Sequence, residues 1–113
     1  MTPSIDATLA ALADPTRRAV VGLLSRRPLR PSAIADALSA TRPATSRHLR
    51  VLRRAGIVRE EVPADDARAR VCELRQEPFA ELRQWLDDVE AFWAEQLEAF
   101  KRHAERPRPR RKG

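Results

Sequence analysis

The sequence predicts a mainly α-helical domain with one small β-hairpin, and three observations lead to this prediction. Short apolar runs at helical spacing fill the first half of the chain, and residues typical of helix starts precede several of them. Two β-type runs then flank a turn-rich stretch between residues 57 and 75. Beyond them, apolar residues recur every three or four positions from residue 79 to residue 100, which indicates one long amphipathic helix.

The first two helices are predicted from apolar spacing and from their ends. We expect a first helix from about Ile5 to Ala13. Asp14 then precedes Pro15, and an acidic N-cap followed by proline at the first helical position is a typical helix start. A second helix is therefore expected to run to about Ser25. Its apolar residues are Val20, Val21, Leu23 and Leu24.

The third and fourth helices are predicted to follow each other through a very short turn. Pro31 begins the third helix, and Thr41 can cap the fourth, with Pro43 tolerated in its first turn and Gly56 after its end. Only two residues separate Leu38, the last apolar residue of the third helix, from Thr41. The two helices must meet at a sharp angle, which is a helix-turn-helix arrangement.

The segment after the fourth helix changes to β-type patterning. The runs IVREEV and ARVCELR are separated by the turn-rich PADDAR, so a two-stranded hairpin is predicted over residues 57–75. A hairpin that follows a helix-turn-helix is a wing. The sequence therefore predicts a winged helix-turn-helix.

A long last helix is predicted from Pro78 to about His103, and it carries all five aromatic residues of the chain. A domain of 113 residues has little core left to cover such a stripe. The apolar surface is most simply buried against a second copy, so we predict a homodimer. The expected interface residues on this helix are Leu86, Val89, Phe92, Trp93, Leu97 and Phe100.

The charge of the chain favours a polyanionic partner. Twenty-two basic residues against 16 acidic ones give a net charge of +6, and the isoelectric point is near 11.1. Eleven arginines lie between residues 14 and 59, whereas residues 76–100 hold seven acids and one arginine. The last stretch, RPRPRRKG, is basic, proline-rich and without apolar residues. We predict one domain over residues 1–104 and a disordered basic tail over residues 105–113.

The predicted fourth helix, at residues 42–55, has two chemically different sides. Thr45, Leu49 and Leu52 lie on one side and are expected to hold the helix to the domain. The opposite side is predicted to face DNA, and its residues are Arg42, Ser46, Arg47 and Arg50. Arg53 and Arg54, a turn later, are expected to meet phosphate or acidic neighbours.

The predicted hairpin carries two adjacent acids, Glu60 and Glu61, next to a segment that is otherwise rich in arginine. These acids are candidates to pair with nearby arginines.

No pattern in the chain indicates an enzyme. The paired acids at residues 65–66 and 87–88 fall on a turn and on a polar helix face, without the apolar pocket that raises a carboxylate pKa. With three glycines, the chain has no glycine-rich loop of the kind that binds phosphate, and no cofactor is predicted.

Cys72 lies within a predicted strand, where a lone cysteine is most often a small buried hydrophobe. Without an apolar run of membrane-spanning length or a signal peptide, we expect a cytoplasmic protein that does not enter a membrane.

The segments ALADPTRRAVVGLL, TRPATSRHLRVLRRAGIV and WLDDVEAFW together resemble the ArsR family of bacterial winged-helix repressors over roughly residues 5–103. The resemblance implies a homodimer joined mainly by its first and last helices, which adds Leu9 to the interface. It also implies that two copies of the fourth helix enter successive major grooves of double-stranded DNA. Arg68 and Arg70 on the hairpin would then reach phosphate or the minor groove.

The chain departs from the metal-sensing members of that family. Their third helix carries paired cysteines, or their last helix carries His and Asp clusters. The third helix here reads RPSAIADALSA, with no thiol or imidazole and with Asp36 as its one possible ligand. The soft donors are limited to His48, Cys72 and His103, which are too scattered for a tetrahedral site within one subunit. The sequence therefore favours a non-metal-sensing regulator with no metal site, and the resemblance names no effector.

A second class of function stays open from sequence. A sequence-indifferent architectural protein that binds DNA or RNA would also use an arginine excess and a basic tail. A steep preference for one duplex over competitor DNA separates the two functions, because architectural binding lacks contacts with base edges.

Overall fold

The structure is a computed structural model that describes residues 4–105. Four short helices come first: α1 (Ile5–Leu12), α2 (Pro15–Leu24), α3 (Pro31–Leu38) and α4 (Arg42–Arg54). Strand β1 (Val58–Glu61), a short 3-10 helix (Ala67–Ala69) and strand β2 (Val71–Leu74) follow, and helix α5 (Glu77–Glu105) ends the described chain. This order confirms the mainly helical winged helix-turn-helix. Helix α5 includes Glu105, the first residue of the predicted tail, and residues 106–113 of that tail lie outside the described residues.

The starts of α1 and α2 are fixed by side-chain caps, of which the sequence predicts Asp14 and does not identify Ser4. Ser4 caps α1 by accepting a hydrogen bond from the Ala7 N–H. The Asp14 carboxylate caps α2 by accepting from the N–H groups of Thr16 and Arg17, at 2.8 and 3.0 Å. These N–H donors, with Arg17 first, hold the pKa of Asp14 below its ordinary value of 3.8 because they stabilise the ionised form. Local chemistry thus sets both boundaries.

The core is built from the first four helices and the hairpin. Ile34, Leu52, Ile57 and Cys72 are fully buried. Phe79, near the start of α5, packs against the same cluster. The remaining buried apolar residues are Ala11, Val20, Leu24, Ala35, Leu49, Ala55, Val58 and Pro78.

The hairpin is antiparallel, and its register places Glu60 opposite Cys72 and Glu61 opposite Val71. Leu29, in the connection between α2 and α3, adds a bridge on the other edge of β2. The Leu29 N–H donates to the Cys72 carbonyl at 3.0 Å, and the Cys72 N–H donates to the Leu29 carbonyl at 2.8 Å. The wing is therefore tied by backbone hydrogen bonds to the segment that leads into the helix-turn-helix.

The described chain divides into two units, one that ends at Leu82 and one that begins at Arg83. The first holds the core described above. The described part of the second is the rest of α5, and its large apolar side chains are exposed, with Trp93 at 61% and Phe100 at 69%. Across residues 4–105, no helix combines the length and the apolar character that crossing a membrane requires.

Candidate nucleic-acid interface

Two residues make the turn that sets α4 against α3. Ser39 adopts the left-handed conformation, with φ 51°, and its N–H donates to the Asp36 carbonyl at 3.2 Å. The Ala40 N–H donates to the Ala35 carbonyl at 3.0 Å, which closes the end of α3. Thr41 then caps α4, because its hydroxyl oxygen accepts from the Ala44 N–H. The predicted short turn between the third and fourth helices is confirmed.

Helix α4 buries the side that the sequence assigned to the core. Thr45, Leu49 and Leu52 are buried at 3%, 2% and 0% exposure. The Thr45 hydroxyl donates to the Thr41 carbonyl at 2.9 Å, so this polar side chain has a partner inside the domain. The four residues predicted to face DNA are all exposed: Arg42, Ser46, Arg47 and Arg50.

Two concave surfaces flank this exposed side of α4. Arg42 and Ser46 line a hollow of about 230 Å³ against the first turn of α3. Ser46 and Arg50 line a cleft of about 280 Å³ that faces the hairpin, and Arg70 lies in its wall. Arg47 lines neither of these two surfaces and is exposed on the helix. The predicted site residues are therefore split between open helix surface and the cleft beside the wing.

The two wing arginines have different surroundings. Arg68 belongs to the 3-10 helix and is exposed, and its backbone N–H donates to the Asp66 carboxylate at 2.9 Å. Arg70 follows that helix, and its Nε lies 3.5 Å from Glu60 Oε2. Only Arg70 is thus brought beside Ser46 and Arg50.

Sequence reasoning did not include Arg53 and Glu60 in the predicted site. The Arg53 guanidinium donates to Glu60 Oε1, and both side chains line the cleft between α4 and the wing. Of the two kinds of partner expected for Arg53, phosphate or an acid, the structure shows an acid. The signal was the position of an acid in an otherwise basic segment, but the partner could not be assigned without the packing of the hairpin against α4.

Two of the eleven arginines between residues 14 and 59 complete the end of a helix. Arg17 and Arg18 donate to backbone carbonyls at the end of α1. Although they contribute to the net charge, their guanidinium groups are engaged within the domain. The local arginine count alone therefore overstates the surface available to phosphate.

The potential metal ligands are dispersed in the described part of the chain. Within residues 4–105, no three His, Cys, Asp or Glu side chains lie together in a way that could hold a metal ion. Cys72 is fully buried, and burial raises the pKa of its thiol from 9.0 to about 11. A thiol in such surroundings is a poor ligand and a poor nucleophile at neutral pH.

Comparisons with known proteins agree with this geometry. A model described as a helix-turn-helix domain matches residues 12–61. The HTH-type transcriptional regulator Rv2034 of Mycobacterium tuberculosis is 39% identical over 97 residues, which cover 86% of this chain and 85% of that protein.

Two solved structures also resemble the chain. The crystal structure of an ArsR family transcriptional regulator, RHA00566, shares 35% identity with a TM-score of 0.70 and covers 79% of this chain and 94% of its own. An ArsR-like transcriptional regulator from Rhodococcus sp. RHA1 has a TM-score of 0.77 at 25% identity, with coverage of 91% and 94%.

Proposed function

Because the chain belongs to the ArsR family of DNA-binding helix-turn-helix transcriptional regulators, and not to a family of enzymes, we propose that it is a homodimeric repressor of a palindromic operator. One observation carries this proposal. A helix held in the domain by buried Thr45, Leu49 and Leu52 leaves four polar or basic side chains exposed. Such a helix can enter a major groove while its inner side stays packed.

The exposed residues divide between reading bases and holding phosphates. Arg47 is exposed on α4, and its planar fork matches the two acceptors of a guanine edge in the major groove. Arg42, Ser46 and Arg50 flank it on the same exposed side. Arg68 and Arg70 extend this surface onto the wing, where we assign Arg68 to phosphate and Arg70, which lies beside Glu60, to the minor groove.

The apolar stripe of α5 supports the dimer. Leu86, Trp93, Leu97 and Phe100 recur on one side of the helix and are between 45% and 69% exposed. Phe92 at 60% widens that stripe, Val89 in the same stripe is half-buried, and Leu9 on α1 is 42% exposed. A second copy that covers this surface would bury aromatic area that the described chain leaves in water.

We further propose that DNA binding is independent of metal, as in the non-metal-sensing branch of the family. Helix α3 holds neither cysteine nor histidine. Cys72 is buried within the wing, away from solvent. Neither α3 nor the wing therefore offers an accessible thiol to which a soft metal ion could bind.

The experiment is to let the purified protein select DNA from a random pool. We expect two inverted copies of one half-site whose centres are separated by about one helical turn, roughly 10 base pairs. Placing the selected site at a promoter should lower transcription when the protein is present. Selection without any enriched sequence would support the architectural alternative, and a rise in transcription would identify an activator.

A further inference from the structure

A single acidic side chain joins two arginines in the cleft between α4 and the wing. Glu60 Oε1 accepts from Nη1 of Arg53 on α4. Glu60 Oε2 lies 3.5 Å from Nε of Arg70, at the entrance to β2. The Glu60 side chain is 18% exposed, whereas those of Arg53 and Arg70 are 36% and 50% exposed. One carboxylate therefore contacts a cation of the DNA-facing helix and a cation of the wing.

We propose that Glu60 is a positioning residue that sets DNA specificity by holding Arg53 and Arg70 away from phosphate. The proposal rests on the sequence-specific DNA binding proposed above and adds a residue that restrains non-specific binding. It also assigns to Glu60 the link that fixes the wing relative to α4. Without that link, both guanidinium groups would be free to form ionic contacts with any nearby phosphate group of the DNA.

The physical reason lies in how proteins bind DNA of random sequence. Such binding comes almost entirely from cations that replace counterions along the phosphate backbone, and each contact adds about 0.9 to the slope of log affinity against log salt. An arginine held by a carboxylate has part of its charge neutralised and its geometry fixed. Releasing the two arginines should favour random DNA over operator DNA. Base contacts fix the position of the protein on the operator, whereas on random DNA it can shift until the freed guanidinium groups reach phosphate.

The chain contains a matched control for net charge. Glu61 is the next residue of β1, is exposed, and takes part in none of the ion pairs found within residues 4–105. Glu60→Gln and Glu61→Gln raise the net charge equally and at nearly the same place. A difference in DNA affinity between the two variants is therefore due to the loss of the Glu60 contacts with Arg53 and Arg70, and not to the added positive charge.

The experiment measures binding of the full chain to the selected operator and to a random duplex of equal length over a range of salt. Relative to Glu61→Gln, Glu60→Gln should steepen the slope on random DNA by about one to two units. The ratio of operator to random affinity should fall at least about threefold. Adding Arg53→Gln to Glu60→Gln should remove about one unit of that slope. Equal slopes for Glu60→Gln and Glu61→Gln, or an unchanged ratio, would overturn the proposal.

A second set of variants keeps Glu60 in place. With Glu60 intact, Arg53→Gln should change the slope of log affinity against log salt on random DNA by less than about half a unit, because Arg53 is held by Glu60. Arg50→Gln should lower that slope by about one unit, because Arg50 is free to contact phosphate. A full unit lost on Arg53→Gln shows that Arg53 already binds phosphate and refutes the proposal. A wild-type protein without operator preference would count against the proposed function, and the slopes on random DNA would still test Glu60.

Discussion

Arg17 and Ala11 join α2 to the end of α1, because Arg17 Nε donates to the Ala11 carbonyl oxygen at 2.6 Å. Arg18 Nη1 donates to the Leu12 carbonyl at 2.7 Å. The last carbonyls of a helix lack partners within it, and a guanidinium group both satisfies them and complements the helix dipole. With the Asp14 cap, the segment ALADPTRR is therefore a joint between two helices, in which the acid begins α2 and the arginines complete α1.

Replacing Arg17 should affect stability and not DNA binding. Arg17→Met keeps most of the aliphatic stem but removes every donor, so the free energy of unfolding should fall by about 1–2 kcal/mol. Denaturant unfolding measures this loss, with Arg26→Met as the control, because Arg26 is exposed in the connection that follows α2. If the salt slope on random DNA instead fell by about one unit at unchanged stability, Arg17 would be a phosphate contact.

Arg47 is expected to be the main reader of bases. Arg47→Ala should cost about 1–3 kcal/mol per half-site on operator DNA and relax the preference at one base pair in each half. Arg68→Ala on the wing serves as the comparison and should weaken operator and random DNA more nearly alike. Both variants are measured on both DNAs at one fixed salt concentration. An equal loss for Arg47→Ala on the two DNAs would make Arg47 a phosphate clamp and pass the reading role to Arg42 or Arg50.

Charged residues in the stripe of α5 should abolish dimerisation. In the variant Trp93→Glu/Leu97→Glu, two carboxylates would have to be desolvated in the predicted interface, so the protein should sediment as a monomer. Operator binding should weaken because a monomer engages one half-site. Ala91→Glu/Ala94→Glu adds the same charge to exposed positions of α5 outside the stripe and should remain dimeric. A Trp93→Glu/Leu97→Glu variant that sediments as a dimer would exclude this interface.

Metal ions should leave DNA binding nearly unchanged. Zinc, cadmium or arsenite at modest excess, or removal of metal by a chelator, should alter operator affinity by less than about threefold, roughly 0.7 kcal/mol. A titration of the preformed complex measures this. Dissociation at micromolar metal that is reversed by Cys72→Ala or His103→Ala would show instead that these residues meet across the dimer.

The buried thiol predicts a specific loss of stability at alkaline pH. The pKa of Cys72 is about 11 in the folded protein against an ordinary 9.0, so folding favours the protonated thiol. Its contribution to the free energy of unfolding is complete below pH 9 and is lost as pH rises toward 11, by up to about 2 kcal/mol. Because the chain has no tyrosine and two lysines, few other groups titrate in this range.

Denaturant unfolding of wild type and Cys72→Ala from pH 7 to pH 11 measures this contribution. The difference in unfolding free energy between the two proteins should be constant up to about pH 9 and should then shift against the wild type. Alkylation of the wild-type thiol at pH 8 should also be much slower in the folded than in the unfolded protein. A pH-independent difference, together with rapid labelling of the folded protein, would contradict a buried, protonated Cys72.

The helix and strand pattern could be predicted because its determinants act over a few residues. The Asp14–Pro15 pair began α2 where expected, and Thr41 capped α4 through the N–H three residues later. The inner side of α4 was also correctly predicted, since helical periodicity places Leu49 and Leu52 on one side. Short-range hydrogen bonds and side-chain periodicity are properties that a linear sequence displays directly.

The sequence by itself thus determined the order of the elements, the buried and exposed sides of α4 and the exposure of Arg47. The tertiary structure decided which charges are engaged: Glu60 meets Arg53 and Arg70, and Arg17 serves the end of α1. These contacts join separate elements, so they exist only once the hairpin packs on α4 and α2 packs on α1. Every arginine counts equally in the composition, but the fold gives some arginines an internal partner and leaves others exposed. The distance to that partner and the burial of the pair set the strength of each ionic contact.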